Sequence, residues 1–516
     1  MFSPSYWLPE LSDALTQPLN AVANQPTEDS FFATAHLDAD LKGRSVRGGA
    51  VMLAAQVAKF VIQLASTAIL ARLLMPADFG IVAMVTAFTG LLWLLGDMGL
   101  AGATIQRPEI THKQISTLFW INIGFSLLIS VVVASLAPVL AWFYHEPRLT
   151  MVTLVLATPF VFSGLTSQHY ALLTRQMRFR AMALVQTLPQ VVSAAVAIGL
   201  AMAGWHYWAL VVNGIVGGAA MALVAWIASG WRPGLPSRKT GVRSMLGLGG
   251  HLTGYNLLNY LTRTADNVLI GRFLGAGPLG VYSKAYALLI FPIQQINVPI
   301  GGVVLPALSR LQRQPEQYRR YFLRAIEGVA FIGVPIIVFA FVDARFLVLT
   351  VLGPKWSGAI AIFRLLAPAA LVGTICGAPE WIFISLGKAH RMLLWAVISS
   401  PIILAGFVVG LRWGGAGVAA SFSMTFSLCF ALFIFDACRQ SPVRLRDFAW
   451  VIYPPLVVSA VAALIVGVAG RASHFPPAAR LVFDAAFFAV AYSALCPVFQ
   501  GGRRMWKLIF MRDTAA

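Results

Sequence analysis

The chain is short of charge. Asp, Glu, Lys and Arg make up 11% of its 516 residues, against 59% hydrophobic residues. A water-soluble protein of this size carries far more polar surface, so the deficit points to a chain that crosses a membrane many times. Acidic residues are scarcer still: 19 against 38 Lys and Arg, for a formal net charge of +19. That excess is no nucleic-acid signature, because there is no basic domain; the cations sit in short connectors between apolar runs, as orientation signals do. The four cysteines (Cys376, Cys429, Cys438, Cys496) lie in or beside apolar segments without CxxC spacing, which argues against a disulfide framework or a zinc site. No GxxxxGK[ST] motif occurs, so there is no phosphate loop for ATP. Residues 1–41 have no Lys or Arg but six acidic residues. A signal peptide begins with positive charge and carries an apolar core, so this stretch reads instead as a mobile cytoplasmic tail, or as sequence ahead of the true start.

What is present in abundance is apolar runs. Fourteen segments of spanning length follow one another from 48–71 to 481–499. Charge tests the count: alternate connectors carry 26 of the 38 Lys and Arg, the other connectors 8, and only Lys59, Arg263, Lys284 and Arg364 fall within spans. An alternation held over every loop predicts an all-α polytopic membrane protein of about 14 transmembrane helices, with both termini cytoplasmic. Aromatic clusters such as Trp142–Tyr144 and Trp205–Trp208 fall at the proposed interfaces, where amphipathic rings settle.

One span is written twice. Gln56, Lys59, Gln63, Ser66 and Thr67 form a polar stripe, and Asn256, Asn259, Arg263, Asp266 and Asn267 recur at the same offsets 200 residues later. Steps of three and four put each set on one helical face. Both stripes run into similar exits, Arg72-Leu-Leu74 to Gly80 and Arg272-Phe-Leu274 to Gly280. An offset of six spans preserves direction, so the halves are parallel repeats. The expected domains are the tail 1–41, a six-helix lobe 42–240, a second six-helix lobe 241–440, and 441–516 with two accessory helices and a basic cytoplasmic tail. A polar face within a bilayer needs a polar neighbour or water, and two such faces suggest a shared cavity.

Several stretches carry a family likeness: Leu70-Ala-Arg-Leu-Leu-Met-Pro-Ala-Asp-Phe-Gly80, Asp97-Met-Gly-Leu-Ala101, Phe119-Trp-Ile-Asn122, Phe143-Tyr-His-Glu-Pro147, Gly271-Arg-Phe-Leu-Gly275, Leu305-Pro-Ala-Leu-Ser309 and Leu352-Gly-Pro-Lys-Trp356. In this order, from about residue 45 to 440, they resemble the Wzx-type polysaccharide exporters of the multidrug/oligosaccharidyl-lipid/polysaccharide superfamily, in particular the colanic-acid and succinoglycan transport branch. The acidic tail departs from that pattern. The resemblance implies two MATE-like lobes about a central cavity in the bacterial inner membrane, opening alternately to either side. It also implies an undecaprenyl-pyrophosphate-linked oligosaccharide as cargo, and polysaccharide polymerase and export proteins as partners. It implies no enzyme activity and no cofactor.

A pyrophosphate and many hydroxyls cannot cross about 30 Å of hydrocarbon unaided. Lys59 and Arg263 are the candidate anion contacts, with Gln56, Gln63, Asn256, Asn259 and Asn267 as amide lining. Arg263 also has Asp266 at i+3 as a candidate ion-pair partner. Asp266, Asp97 and Glu380 are candidates for ion coupling. A lipid II flippase or a MATE-like exporter of cations from the same superfamily is the first rival. A membrane polymerase or ligase is the second, although no long outside loop is present to carry its catalytic residues.

Overall fold

A computed structural model describes residues 41–96, 100–107, 110–236, 250–469, 476–499 and 503. Among these residues the secondary structure is helical throughout, with no strand. By length and hydropathy, 11 helices are able to cross a membrane, or 12 if the bent pair 276–297 and 299–310 counts as one. The fourteen expected spans are therefore not reached on that measure, for two physical reasons. Residues 389–439 pass as one long apolar stretch, yet they form two helices joined by a short turn at 411–413. The helix Gly250–Leu274, which carries the second polar stripe, is too polar to qualify.

The chain divides into two compact units, residues 1–74 with 88–248, and residues 75–87 with 249–516. The first unit contains α1 (Leu41–Leu73), the later part of α2 (Pro76–Gly96), α3 (Leu100–Gln106), α4 (His112–Ser135), α5 (Ala137–Tyr144), α6 (Arg148–Leu156), α7 (Thr158–Arg175), α8 (Phe179–Met202) and α9 (Tyr207–Ser229). Helix α8 lies between α1 and α9, and α7 packs against both α9 and α4. Helix α4 opens with a capping box, Thr111 and Gln114 each bonding the other's backbone N–H, which satisfies two otherwise orphaned donors. Its core joins Ile115, Leu118 and Phe119 to Leu172 and Trp231. Large apolar side chains such as Leu128, Val131 and Leu223 stay more than half exposed. In water that would be a liability; here it is the surface a bilayer covers.

The second unit contains the start of α2, then α10 (Gly250–Leu274), α11 (Ala276–Arg310), α12 (Pro315–Val342), α13 (Ala344–Val351), α14 (Ala359–Gly373), α15 (Gly377–Ser385), α16 (Ala389–Gly410), α17 (Gly414–Arg439), α18 (Leu445–Ala469) and α19 (Pro477–Leu495). One of its core clusters gathers Tyr318, Phe322 and Ile326 of α12 with Ile382 and Phe383 of α15. The repeat exits meet here. A Cβ added at Gly80 would lie 1.8 Å from the carbonyl oxygen of Ala276, and one at Gly280 would lie 1.8 Å from that of Pro76. Positions 76 and 80 thus touch 276 and 280 reciprocally, at the same 200-residue offset that relates the stripes. Only glycine permits backbones so close. The accessory helices α18 and α19 are fastened to α12: Arg319 grips Asp447 with Nε at 2.8 Å and a second nitrogen at 2.7 Å, the paired geometry that makes Arg–carboxylate contacts strong.

Candidate functional site

The described residues include a partly open pocket within the second unit, with a cavity volume of about 80 Å³. Helix α10 supplies Tyr255, Asn259, Thr262 and Arg263; the break between α14 and α15 supplies Cys376, and α15 itself Glu380; α16 contributes Ser399 and Ser400; and α17 closes one side with Phe422, Phe426, Phe430 and Phe433. The polar half follows from helix geometry: 255, 259, 262 and 263 are spaced by four, three and one, so they share a face. Glu380 stands in the first turn of α15, where the helix dipole favours a carboxylate.

Hydrogen bonds set the arrangement. Tyr255 donates its hydroxyl to Glu380 Oε1 at 2.6 Å. Thr262 donates to Ser400 at 2.6 Å, and Ser400 donates onward to the Ala396 carbonyl, which ties α10 to α16. Arg263 reaches the Cys376 thiol and lies within electrostatic reach of Tyr286, Glu380 and Tyr255, but among the described residues no ion pair within 4.0 Å joins it to a carboxylate. Such a cation keeps donors available for a ligand. Beneath the pocket, Arg391 and Trp395 both bond Asp436, at 3.2 and 2.8 Å.

The second stripe therefore divides. Asn259 and Arg263 line the pocket, while Asn256 is exposed. The i+3 pairing of Arg263 with Asp266 does not form. Asp266, 2% exposed, accepts instead from the Tyr282 hydroxyl at 2.7 Å and from the backbone N–H of Asn267 at 2.6 Å. The two residues lie only about 60° apart around α10, so their neighbours decide the split: Arg263 lines the pocket with Cys376 and Glu380, while Asp266 meets Tyr282 of α11. Asn267 Oδ1 is buried without a partner. Lys284 has an aromatic neighbour: its Nζ sits 4.2 Å over the Phe79 ring, a contact worth about 0.5–2 kcal/mol in such settings.

The first stripe, on α1, has a different character. Lys59 is exposed and Gln56 half-buried. Gln63 accepts a 2.7 Å hydrogen bond from Gln190 of α8, and Gln190 also reaches the Lys59 carbonyl at 3.5 Å. Asp97 lies outside the described residues. Sequence reading missed Tyr255, Tyr282 and Gln190. Tyr255 had a usable signal, lying four residues before Asn259 and eight before Arg263 on the same face; nothing local marks Gln190.

An all-helical, multi-span membrane protein with a charged and amide-lined pocket inside a helix bundle belongs, by class, with membrane transporters. Comparison gives the family. Residues 69–361 match the model of a family described as polysaccharide biosynthesis protein, and the chain belongs to that family. Over 391 residues it is 26% identical to the lipopolysaccharide biosynthesis protein WzxC of Escherichia coli (strain K12), covering 74% of this chain and 78% of that one. It is 25% identical over 417 residues to the teichuronic acid biosynthesis protein TuaB of Bacillus subtilis (strain 168), covering 78% and 84% of the two chains. Among solved structures it resembles the lipid II flippase MurJ in an inward closed conformation, with TM-score 0.68 and 12% identity over 89% of this chain and all of that one. The likeness to MurJ shows that the fold is shared along the chain.

Proposed function

We propose that this protein is a flippase that turns a lipid-linked oligosaccharide from the cytoplasmic to the periplasmic leaflet of the bacterial inner membrane, for exopolysaccharide or lipopolysaccharide assembly. The observation that carries the reading is the pair of matched polar stripes, each with one cation, inside helices of a family whose members are named for polysaccharide biosynthesis. The cargo class comes from relatives such as WzxC and the succinoglycan biosynthesis transport protein ExoT of Rhizobium meliloti (strain 1021).

On this reading Lys59 and Arg263 replace water around the pyrophosphate, Lys59 as a mobile point charge and Arg263 as a planar fork. Gln56, Gln63, Asn256, Asn259 and Asn267 replace water around the sugar hydroxyls. The cost being met is that of bringing charge and hydroxyls into hydrocarbon, several kcal/mol per uncompensated group. Glu380, held by Tyr255 at the polar side of the pocket, and Asp266, held by Tyr282, are the carboxylates placed to take up and release a coupling ion; Asp97 is a third. Both termini face the cytoplasm, and the partners are the polysaccharide polymerase and export machinery that consume the cargo.

A second reading, export of small organic cations, is favoured by the aromatic wall of Phe422, Phe426, Phe430 and Phe433 and opposed by Arg263 in the same pocket. The deciding experiment is deletion of the gene followed by analysis of lipid-linked glycans. Accumulation of one such glycan on the cytoplasmic side, with loss of the matching surface polymer, is expected. Unchanged surface polysaccharide with no accumulation rejects the flippase. In reconstituted vesicles, turnover that is indifferent to collapse of both proton and sodium gradients rejects ion coupling.

A further inference from the structure

At the end of the second unit that the charge pattern assigns to the outside, two carboxyls meet where the transport reading has no use for them. Asp343 is the single residue between α12 and α13 and is 5% exposed; Asp484, on α19, is 1% exposed. The two side chains are within hydrogen-bond reach of each other, and Asp343 Oδ2 and Asp484 Oδ1 are both buried with no donor. An ionised carboxylate only accepts, so a pair of them cannot bond; a proton on either oxygen supplies the missing donor.

The charges nearby leave room for one proton. Arg480, one turn before Asp484, donates from Nε to Asp484 Oδ2 at 3.3 Å and lies 4.3 Å over the Phe346 ring of α13. It neutralises one carboxylate. Arg345 on α13 and Arg364 on α14 are exposed, while the outer halves of α12 and α18 carry no charged side chain among the described residues. Two ionised carboxylates against one arginine would bury an uncompensated charge, which proteins avoid by holding a proton.

We propose that Asp343 and Asp484 share one proton, and that this proton fastens the start of α19 to the α12–α13 junction, so that docking of the C-terminal helix senses pH on the side it faces. Burial, reinforced by the neighbouring Asp484 charge, pushes the Asp343 carboxyl up to about 6. The proton is retained when the helix is docked and released more readily when it is free. Docking is therefore favoured in full below the ordinary carboxylate range near 4 and loses that contribution as pH rises through about 6. The rest of α19 is held independently of charge, by Phe339 against Phe488 at 5.4 Å between ring centroids, and by the Tyr492 hydroxyl on the Phe331 carbonyl at 2.9 Å. Only the outer turns let go.

The test uses the full chain in nanodiscs of phosphatidylethanolamine and phosphatidylglycerol. Hydrogen exchange of residues 477–485 is measured at pH 5 and pH 8 and corrected for intrinsic rate. The wild type is expected to open on the order of tenfold more at pH 8. Asp343→Asn carries a permanent donor and stays protected at both values; Asp343→Ala opens at both. A wild type that is flat with pH, or an Asp343→Asn variant that keeps the wild-type dependence, overturns the proposal. Infrared spectra of the wild type provide a readout that needs no variant: a protonated-carboxyl band must be present at pH 5 and shrink by pH 8. Its absence at pH 5 also overturns the proposal.

Discussion

The two polar stripes share their spacing and differ in what they face. On α1 the cation, Lys59, is exposed, and the amide Gln63 is tied to Gln190 of the same unit. On α10 the cation, Arg263, lies in a pocket among Tyr255, Cys376 and Glu380, and the acid one turn on is 2% exposed against a tyrosine. At the exits the repeats remain alike: Gly80 and Gly280 pack in reciprocal contact. A duplicated segment thus keeps the position where backbones touch and changes the positions where side chains choose their surroundings. Sterics tolerate no alternative at the first kind of site; electrostatics offer several at the second.

The comparison can be broken most severely at the glycines. Gly80→Ala and Gly280→Ala each force a methyl against a carbonyl oxygen at 1.8 Å, and each is expected to lower stability by about 3 kcal/mol or more. Thermal unfolding of the purified protein measures it. Equal losses uphold the reciprocity, and a harmless change at one position ends it. Arg263→Gln comes next. It leaves Glu380 with Tyr255 alone, and a loss of roughly 2–3 kcal/mol is expected in the same assay, together with impaired export. Thr262→Val removes the hydroxyl that bonds Ser400 at 2.6 Å and should cost about 1 kcal/mol. The smallest effect on stability sharpens the contrast. Lys59→Gln should stay within about 0.5 kcal/mol of wild type, because its side chain is exposed, yet turnover of lipid-linked oligosaccharide in vesicles should fall at least tenfold. Wild-type turnover by this variant removes Lys59 from the anion site.

Much of the fold was legible from the chain alone, because hydropathy and charge act locally. The segment 112–144 is apolar along its length and lies among the spans whichever neighbours it has. The segment around Gly250–Leu274 was counted among the fourteen spans, although the helix it forms is more polar than its neighbours and does not pass as a span by hydropathy. The candidate site was half legible. Asn259 and Arg263 were found by their spacing, and Glu380 by its rarity in an apolar run. The candidate ion pair between Arg263 and Asp266 was not formed: Asp266 accepts from Tyr282, while Arg263 lies in the pocket beside Cys376 and Glu380. Asp436 and Asp447 are gripped by Arg391 and Arg319, contacts 45 and 128 residues apart in sequence, which local sequence does not reveal.

By itself the sequence determined that this is a multi-span helical membrane protein, built on a 200-residue repeat with one cation in each polar stripe. Those properties follow from the cost of placing each residue in hydrocarbon or water, which needs no knowledge of neighbours. Tertiary structure alone decided that Arg263 shares a pocket with Glu380, that Asp266 answers to Tyr282, and that Asp343 meets Asp484. A buried charge takes its partner from whichever helix packs against it, and that choice is made only when the helices assemble.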